Sequence, residues 1–198
     1  MVSFAITGGI GSGKSYVSAL LEQRGIPIYN ADNEAKRLMV TDEVIHRELV
    51  SLLGEAVYQN GCLNKKLLAG YLFADPLHAA RINAIVHPRV KADFYRWKEQ
   101  QVDKPVVGME CAILFESGFD DTVDQIVMVY APLELRVERA IQRDTATREQ
   151  ILARISAQMD DEEKRSKSDF VILNDGSKPL EEQLDQVLNA LQQGNKGE

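Results

Sequence analysis

A parallel α/β sheet flanked by helices is the fold class this sequence predicts, and three observations predict it. Short β-branched runs alternate with helical stretches, the order that yields a parallel sheet with crossover helices. The runs are mostly continuous in their apolar character, as strands covered on both faces are. A glycine-rich loop stands between the first run and an amphipathic helical stretch, which is the strand–loop–helix order of a phosphate-binding turn.

Ser3 to Thr7 forms the first strand. Val17, Leu20 and Leu21 then recur at i, i+3 and i+4, with Arg24 in the last turn and Gly25 as the stop, so this helix lays one apolar face on the sheet. Ile26 to Tyr29 is the second strand. The 75 residues from Asn30 to Lys104 hold no convincing strand, far more than an ordinary crossover, and are expected to form a mostly helical insertion. Within it, one helix runs from a Thr41 or Asp42 cap through Val44, Ile45, Leu49, Leu52 and Leu53 to Gly54. Another starts at Asn64, and a third ends near His87, where Pro88 opens the next at its first position. Pro105 to Met109, Gln125 to Ala131 and the shorter Phe170 to Leu173 complete five strands. The last helix carries Leu180, Leu184, Val187, Leu188 and Leu191 at helical spacing and is expected to fray over Gly194 to Glu198.

The chain has 198 residues, about 1.3 times a length prior of roughly 150, which suits one domain with a sizeable insertion. The expected partition is a core of 1–31 and 104–193, a helical insertion of about 32–103, and within the core a separate segment of about 139–165. With 44% hydrophobic and 27% charged residues the chain can bury a core and is not a disordered one. Its formal net charge is −7, so it lacks the broad cationic footprint that nucleic-acid binding requires, and an anionic ligand must be caught locally. The N-terminal residues carry no basic region and reach Gly8-Gly9 too early for a signal peptide, and no apolar run spans a bilayer. Cys62 and Cys111 form no CxxC and read as two half-buried small hydrophobes of a reducing compartment, so a cytoplasmic location is expected, with no membrane partner.

Gly8-Gly9-Ile10-Gly11-Ser12-Gly13-Lys14-Ser15 satisfies GxxxxGK[ST] in the context its mechanism needs. The glycines let successive backbone N–H groups turn inward around a phosphate while the helix N-terminus adds partial positive charge. Lys14 then reaches the β and γ oxygens, and Ser15 offers a hydroxyl to Mg²⁺. Binding of a nucleoside triphosphate follows. A guanine-reading NKxD and a DxxG are both missing, which argues against guanine specificity.

An Asp ending a buried strand commonly holds Mg²⁺ in ATP-driven motors, but here the third strand ends at Glu110 and the fourth passes into Ala131-Pro132. Asp32 lies just past the second strand, where ligands of open α/β sheets bind, and its carboxylate can take the proton of a hydroxyl attacking the γ-phosphate. An N-cap of the following helix would account for Asp32 as well. Arg136, Arg139 and Arg143 share one helical stripe with no acid at i±3 or i±4, so they await an external anion, although tertiary salt bridges would also satisfy them. Asp144 to Thr147 breaks that helix, and Thr147 with Gln150 opens another through a capping box, the helix–loop–helix of a lid. His46, His78 and His87 form no metal-ligand set, and His87, before Pro88, is the one whose ring is freed for contact. Trp97, on a stripe with Val90 and Phe94, reads as core.

Together these residues resemble the dephospho-coenzyme A kinase family from the first strand to about Gly176. The phosphate loop, Asn30-Ala31-Asp32, Gly61-Cys62-Leu63, Phe73, His87-Pro88, Leu114-Phe115-Glu116, Arg139, Gln142-Arg143, Gln158, Asp169 and Asn174-Asp175-Gly176 fall in the family's order and approximate spacing. The resemblance implies a three-layer P-loop kinase fold with a five-stranded parallel sheet. It also implies phosphorylation of the ribose 3′-hydroxyl of dephospho-CoA by ATP with Mg²⁺, and it makes 1–31 and 104–193 the nucleotide-binding core, the insertion of about 32–103 the acceptor-binding part and about 139–165 the lid; a monomer or weak homo-oligomer is expected.

Carried onto this sequence, it makes Asp32 the base and puts Lys14, Arg139 and Arg143 in catalysis. ATP falls to Gly9, Gly11, Ser12, Gly13, Lys14, Ser15, Tyr16, Asn174 and Gly176; the acceptor falls to Asp32, Lys36, Lys65, His87 and Glu116; Mg²⁺ falls to Ser15. Asn30, Tyr16, Lys65, Glu110 and Ala112 depart from the family's usual Asp, Thr, Arg, Asp and Pro. A nucleoside monophosphate or other small-molecule kinase, or a nucleotide-gated binding module without transfer, are the alternatives that the residues alone leave open.

Overall fold

The computed structural model describes residues 1–193; the expected fraying of Gly194 to Glu198 lies outside them. Two compact units emerge, one made of Met1–Asn30 and the chain from Gln101 onward, the other of Ala31–Gln100.

The first unit holds a five-stranded sheet of β1 (Val2–Thr7), β2 (Ile28–Asn30), β5 (Val106–Glu110), β6 (Gln125–Tyr130) and β7 (Phe170–Leu173) in the order β2-β5-β1-β6-β7. Every pairing is parallel, and β1 lies between β5 and β6, so the loop that leaves β1 emerges at the middle of the carboxyl edge. Phe4 and Ile6 on one face pack with Val17 and Leu21 of α1 (Lys14–Gln23) and with Leu184, Val187 and Leu191 of α9 (Leu180–Gln193). The alternate residues Ala5, Met109 and Met128 are buried too, and α8 (Asp161–Ser166) lies against β6. Burial on both faces is why these strands read as continuous apolar runs.

Gly25 stops α1 as expected, at φ 79°. Its N–H reaches Glu22 O at 2.9 Å and the Ile26 N–H reaches Leu21 O at 3.1 Å, the paired bonds of a Schellman turn in which Arg24 is the cap rather than part of the last turn. Between β6 and β7 lie α6 (Leu133–Asp144) and α7 (Arg148–Ser156), and the Thr147–Gln150 capping box is formed in both directions. Val137, Ala140 and Ile151 give this pair of helices an apolar centre of its own.

The second unit is α2 (Ala31–Thr41), α3 (Glu43–Leu53), α4 (Lys65–Ala74) and α5 (Pro76–Glu99), with a two-stranded hairpin of β3 (Tyr58–Gln59) and β4 (Cys62–Leu63). Of the two caps considered for α3, Asp42 is the one used; one of its carboxylate oxygens accepts from Val44 N and Ile45 N, each at 3.0 Å. Its other oxygen takes both Nε and Nη2 of Arg89, tying α3 to α5. Asn64 caps α4 through Leu67 N, as expected.

Three expectations fail here. The insertion contains a hairpin, whose turn residues Asn60 and Gly61 have φ of 51° and 75°, the type I′ geometry that Asn-Gly favours. Pro88 does not open a helix: α5 continues through it, and Pro76 holds the first position instead. Ile82, Val86, Val90 and Phe94 are buried at successive i+4 steps on either side of Pro88, so packing of one stripe outweighs the hydrogen bond that proline removes. Cys62 is exposed at the hairpin while Cys111 is buried, so the two thiols are not alike.

Candidate active site

Gly8 to Ser15 wraps the carboxyl end of β1 and the start of α1, where helix amides and backbone N–H groups converge on an anion. Gly13 has φ 95°, and a Cβ there would overlap the Asn174 side-chain amide, so two independent constraints demand glycine. Lys14 Nζ arches over the loop, donating to Gly8 O at 2.9 Å and Gly9 O at 3.1 Å. A cavity of about 240 Å³ opens above, lined by Gly11, Gly13, Lys14, Ser15, Tyr16, Arg139 and Arg143. One ammonium and two guanidinium groups around a bare backbone make a polyanion site within an acidic chain.

Ser15 Oγ donates to Glu110 Oε1 at 2.6 Å, and Asn30 Nδ2 donates to Glu110 Oε2 at 3.2 Å. Glu110 is thus the acid at the end of a buried strand that sequence reasoning noted and passed over. The signal was present: a carboxylate at the carboxyl edge of the sheet, next to the strand that carries the loop. A serine hydroxyl with an adjacent carboxylate supplies the hard oxygen donors Mg²⁺ prefers, in the sparse protein set usual where phosphates complete the shell. Among the described residues there is no cluster of three or more His, Cys, Asp or Glu that could hold a metal alone.

Ser12 is fully buried, and its carbonyl accepts Asn174 Nδ2 at 2.8 Å, so its share in anion binding falls to the backbone. Asn174 O in turn accepts Arg139 Nη1 at 2.9 Å. Asn174 therefore latches the phosphate loop to α6, and Gly176, at φ 84°, turns the chain just beyond. Tyr16 is largely exposed at the cavity mouth.

The arginine stripe is corrected by the structure. Arg136 is buried and paired with Asp161, while Arg143 forks onto Asp144 through Nε at 2.6 Å and Nη2 at 3.0 Å. Both have partners within the chain, at separations of 25 and 1 that a search at i±3 and i±4 misses. Asp144 also accepts from Arg154 at 2.7 Å; the bonds from Arg143 and then Arg154 hold its carboxyl far below the usual carboxylate range. Glu116 Oε1 accepts Met159 N at 2.7 Å and Lys164 Nζ at 3.0 Å, anchoring the segment before α8.

In the second unit, α2 starts at Ala31, so Asp32 sits inside its first turn rather than at the cap, exposed and one turn from Lys36. Lys65 is exposed at the first position of α4. His87 is half-buried inside α5 and not freed at a helix end; burial, then the nearby Lys91 charge, lowers its proton affinity. Trp97 stacks on the buried Phe94 but is itself only partly buried, so it covers the core rather than belonging to it. No helix among the described residues is long and apolar enough to cross a membrane.

A family model described as dephospho-CoA kinase matches residues 2–179. The dephospho-CoA kinase of Bacteroides fragilis (strain YCH46) is 56% identical over 192 residues, covering 97% of this chain and 94% of that protein. A crystal structure of TT1252 from Thermus thermophilus superposes with a TM-score of 0.80 at 38% identity, covering 96% of this chain and 95% of the other. Dephospho-CoA kinase from Campylobacter jejuni superposes at 0.71 with 24% identity over 98% of both, a likeness of fold.

Proposed function

The chain belongs to the dephospho-CoA kinase family, and from that premise we propose that it transfers the γ-phosphate of ATP to the ribose 3′-hydroxyl of dephospho-CoA, giving coenzyme A and ADP. The observation that carries this reading is the cavity over Gly11 to Tyr16 with Lys14, Arg139 and Arg143 around it.

The loop amides and the α1 N-terminus grip the β and γ phosphates, and Lys14 and Arg139 offset charge that grows on the γ oxygens as the bond to ADP breaks. Ser15 beside Glu110 would hold Mg²⁺, which when bound would add to the neutralisation of the triphosphate. Asp32 accepts the 3′-hydroxyl proton as that oxygen attacks; it lies two residues past β2, a strand parallel to β1. Tyr16, Asn174 and Gly176 flank the nucleotide, and Arg143 exchanges Asp144 for phosphate when residues of about 139–165 act as a lid. We assign the acceptor to Lys36, Lys65 and His87 of the insertion of about 32–103 and to Glu116 of the core of 1–31 and 104–193. The enzyme acts in the cytoplasm, consistent with its two free thiols, and as a monomer or weak homo-oligomer.

An ADP-release assay offering dephospho-CoA beside AMP, CMP and shikimate tests the acceptor; preference for any of the other three overturns it. In the same assay Asp32→Asn should lose on the order of 10²- to 10⁴-fold in turnover while ATP binding persists. Near-normal turnover in that variant removes Asp32 from the reaction.

A further inference from the structure

Ile10, in the middle of the phosphate loop, is held on three sides by residues of α6 to α8. Its N–H donates to Gln158 Oε1 at 3.1 Å, and its carbonyl accepts Arg136 Nη1 at 3.4 Å. Its side chain packs on the Val137, Ala140 and Ile151 cluster. Arg136 is 2% exposed and paired with Asp161, and its Nε is buried with no hydrogen-bond partner.

The guanidinium occupies the space behind Gly9. A Cβ on Gly9 would overlap Nη1 of Arg136 and lie 2.8 Å from Cζ and 2.9 Å from Asp161 Oδ1; one on Gly11 would overlap the Arg136 carbonyl oxygen. Gly11 also has φ 78°, whereas Gly9 is not among the positive-φ glycines, so the need for glycine at 9 comes from the Arg136 fork and the Asp161 carboxylate paired with it rather than from the backbone.

A buried ion pair is a poor way to gain stability, since apolar side chains of similar volume do as well or better. What arginine adds is a rigid planar fork that meets the Ile10 carbonyl and Asp161 at once, with its charge directly behind the amides that face a phosphate. The geometry points to Arg136 as a positioning residue for nucleotide binding: with Asp161 and Gln158, it seats the Gly9–Gly11 backbone and couples that loop to the α7–α8 junction. This rests on the reading that the loop binds ATP.

The test uses the full chain and reads ADP affinity by calorimetry, KM for each substrate, and unfolding temperature. Arg136→Met with Asp161→Asn, which avoids an orphaned buried charge, should weaken ADP binding and raise KM for ATP by on the order of 10- to 100-fold. KM for dephospho-CoA and the unfolding temperature should hold. Gly9→Ala should do similar harm in the wild-type chain but add less than about 3-fold in the double-variant background, because the clashing fork is gone. Wild-type ADP affinity in the double variant, or full additivity with Gly9→Ala, overturns the proposal. If the double variant does not fold, Gln158→Ala carries the same expectation, and unchanged ADP affinity there overturns it equally. The ADP readout needs no acceptor, so a chain that fails to phosphorylate dephospho-CoA would defeat the kinase reading without touching this one.

Discussion

Gly13 and Glu110 mark the limits of reading single residues. Glycine at 13 was expected from the loop motif, and its φ of 95° agrees, but the Asn174 amide lodged beside it is a second reason that no local spacing encodes. Glu110 was visible as an acid closing a buried strand, yet its bond to Ser15, 95 residues away, exists only once β5 lies beside β1. His87 shows what burial does to a titrating group. Burial, then Lys91, lowers its proton affinity below the ordinary value of 6.5, so below that pH the unfolded chain takes up a proton that the folded chain resists. This contribution to stability is present above 6.5 and is lost as pH falls through 6.5 toward the lower folded value. Between about pH 7.5 and about pH 5 the unfolding temperature of the wild type should therefore drop more than that of His87→Gln, by roughly 1–3 °C. Equal slopes for the two would remove His87 as a source of acid sensitivity.

Elements were legible where a cap, a stop and a period agreed. α3 had all three in Asp42, the apolar stripe and Gly54, and it stands where expected. The hairpin at Asn60-Gly61 carried its own signal in the turn dipeptide, and its two-residue strands were too short to register against the helices around them. α5 was misjudged because proline is a local rule, whereas a 24-residue helix is held by its whole buried stripe. Pro88 takes an N–H donor from the ladder and crowds the Ala84 carbonyl, and Pro88 is itself exposed, so its ring packs on little. Pro88→Ala should therefore stabilise the chain by about 1–3 kcal/mol, read as a rise in the denaturant midpoint at constant slope. A fall in midpoint would mean that the proline ring is needed for packing of α5.

For the whole molecule, a net charge of −7 means that affinity for a triphosphate must come from the few cations and amides around one loop. ADP at about 100 times its dissociation constant should add about 2.7 kcal/mol of stability, a rise of roughly 5–10 °C in unfolding temperature. Lys14→Ala should abolish most of that rise, and a full shift in that variant would move the nucleotide away from the loop. The glycine spacing, the strand–helix alternation and most caps were set by the sequence alone, because each depends on residues within a turn or two of one another. Only the tertiary structure decided that Arg136 is buried rather than waiting for a ligand, that Ser15 meets Glu110, and that α5 runs through a proline. Those outcomes depend on partners 25, 95 or 126 residues distant, or on a buried face many turns long, which become neighbours only when the sheet and helices have packed.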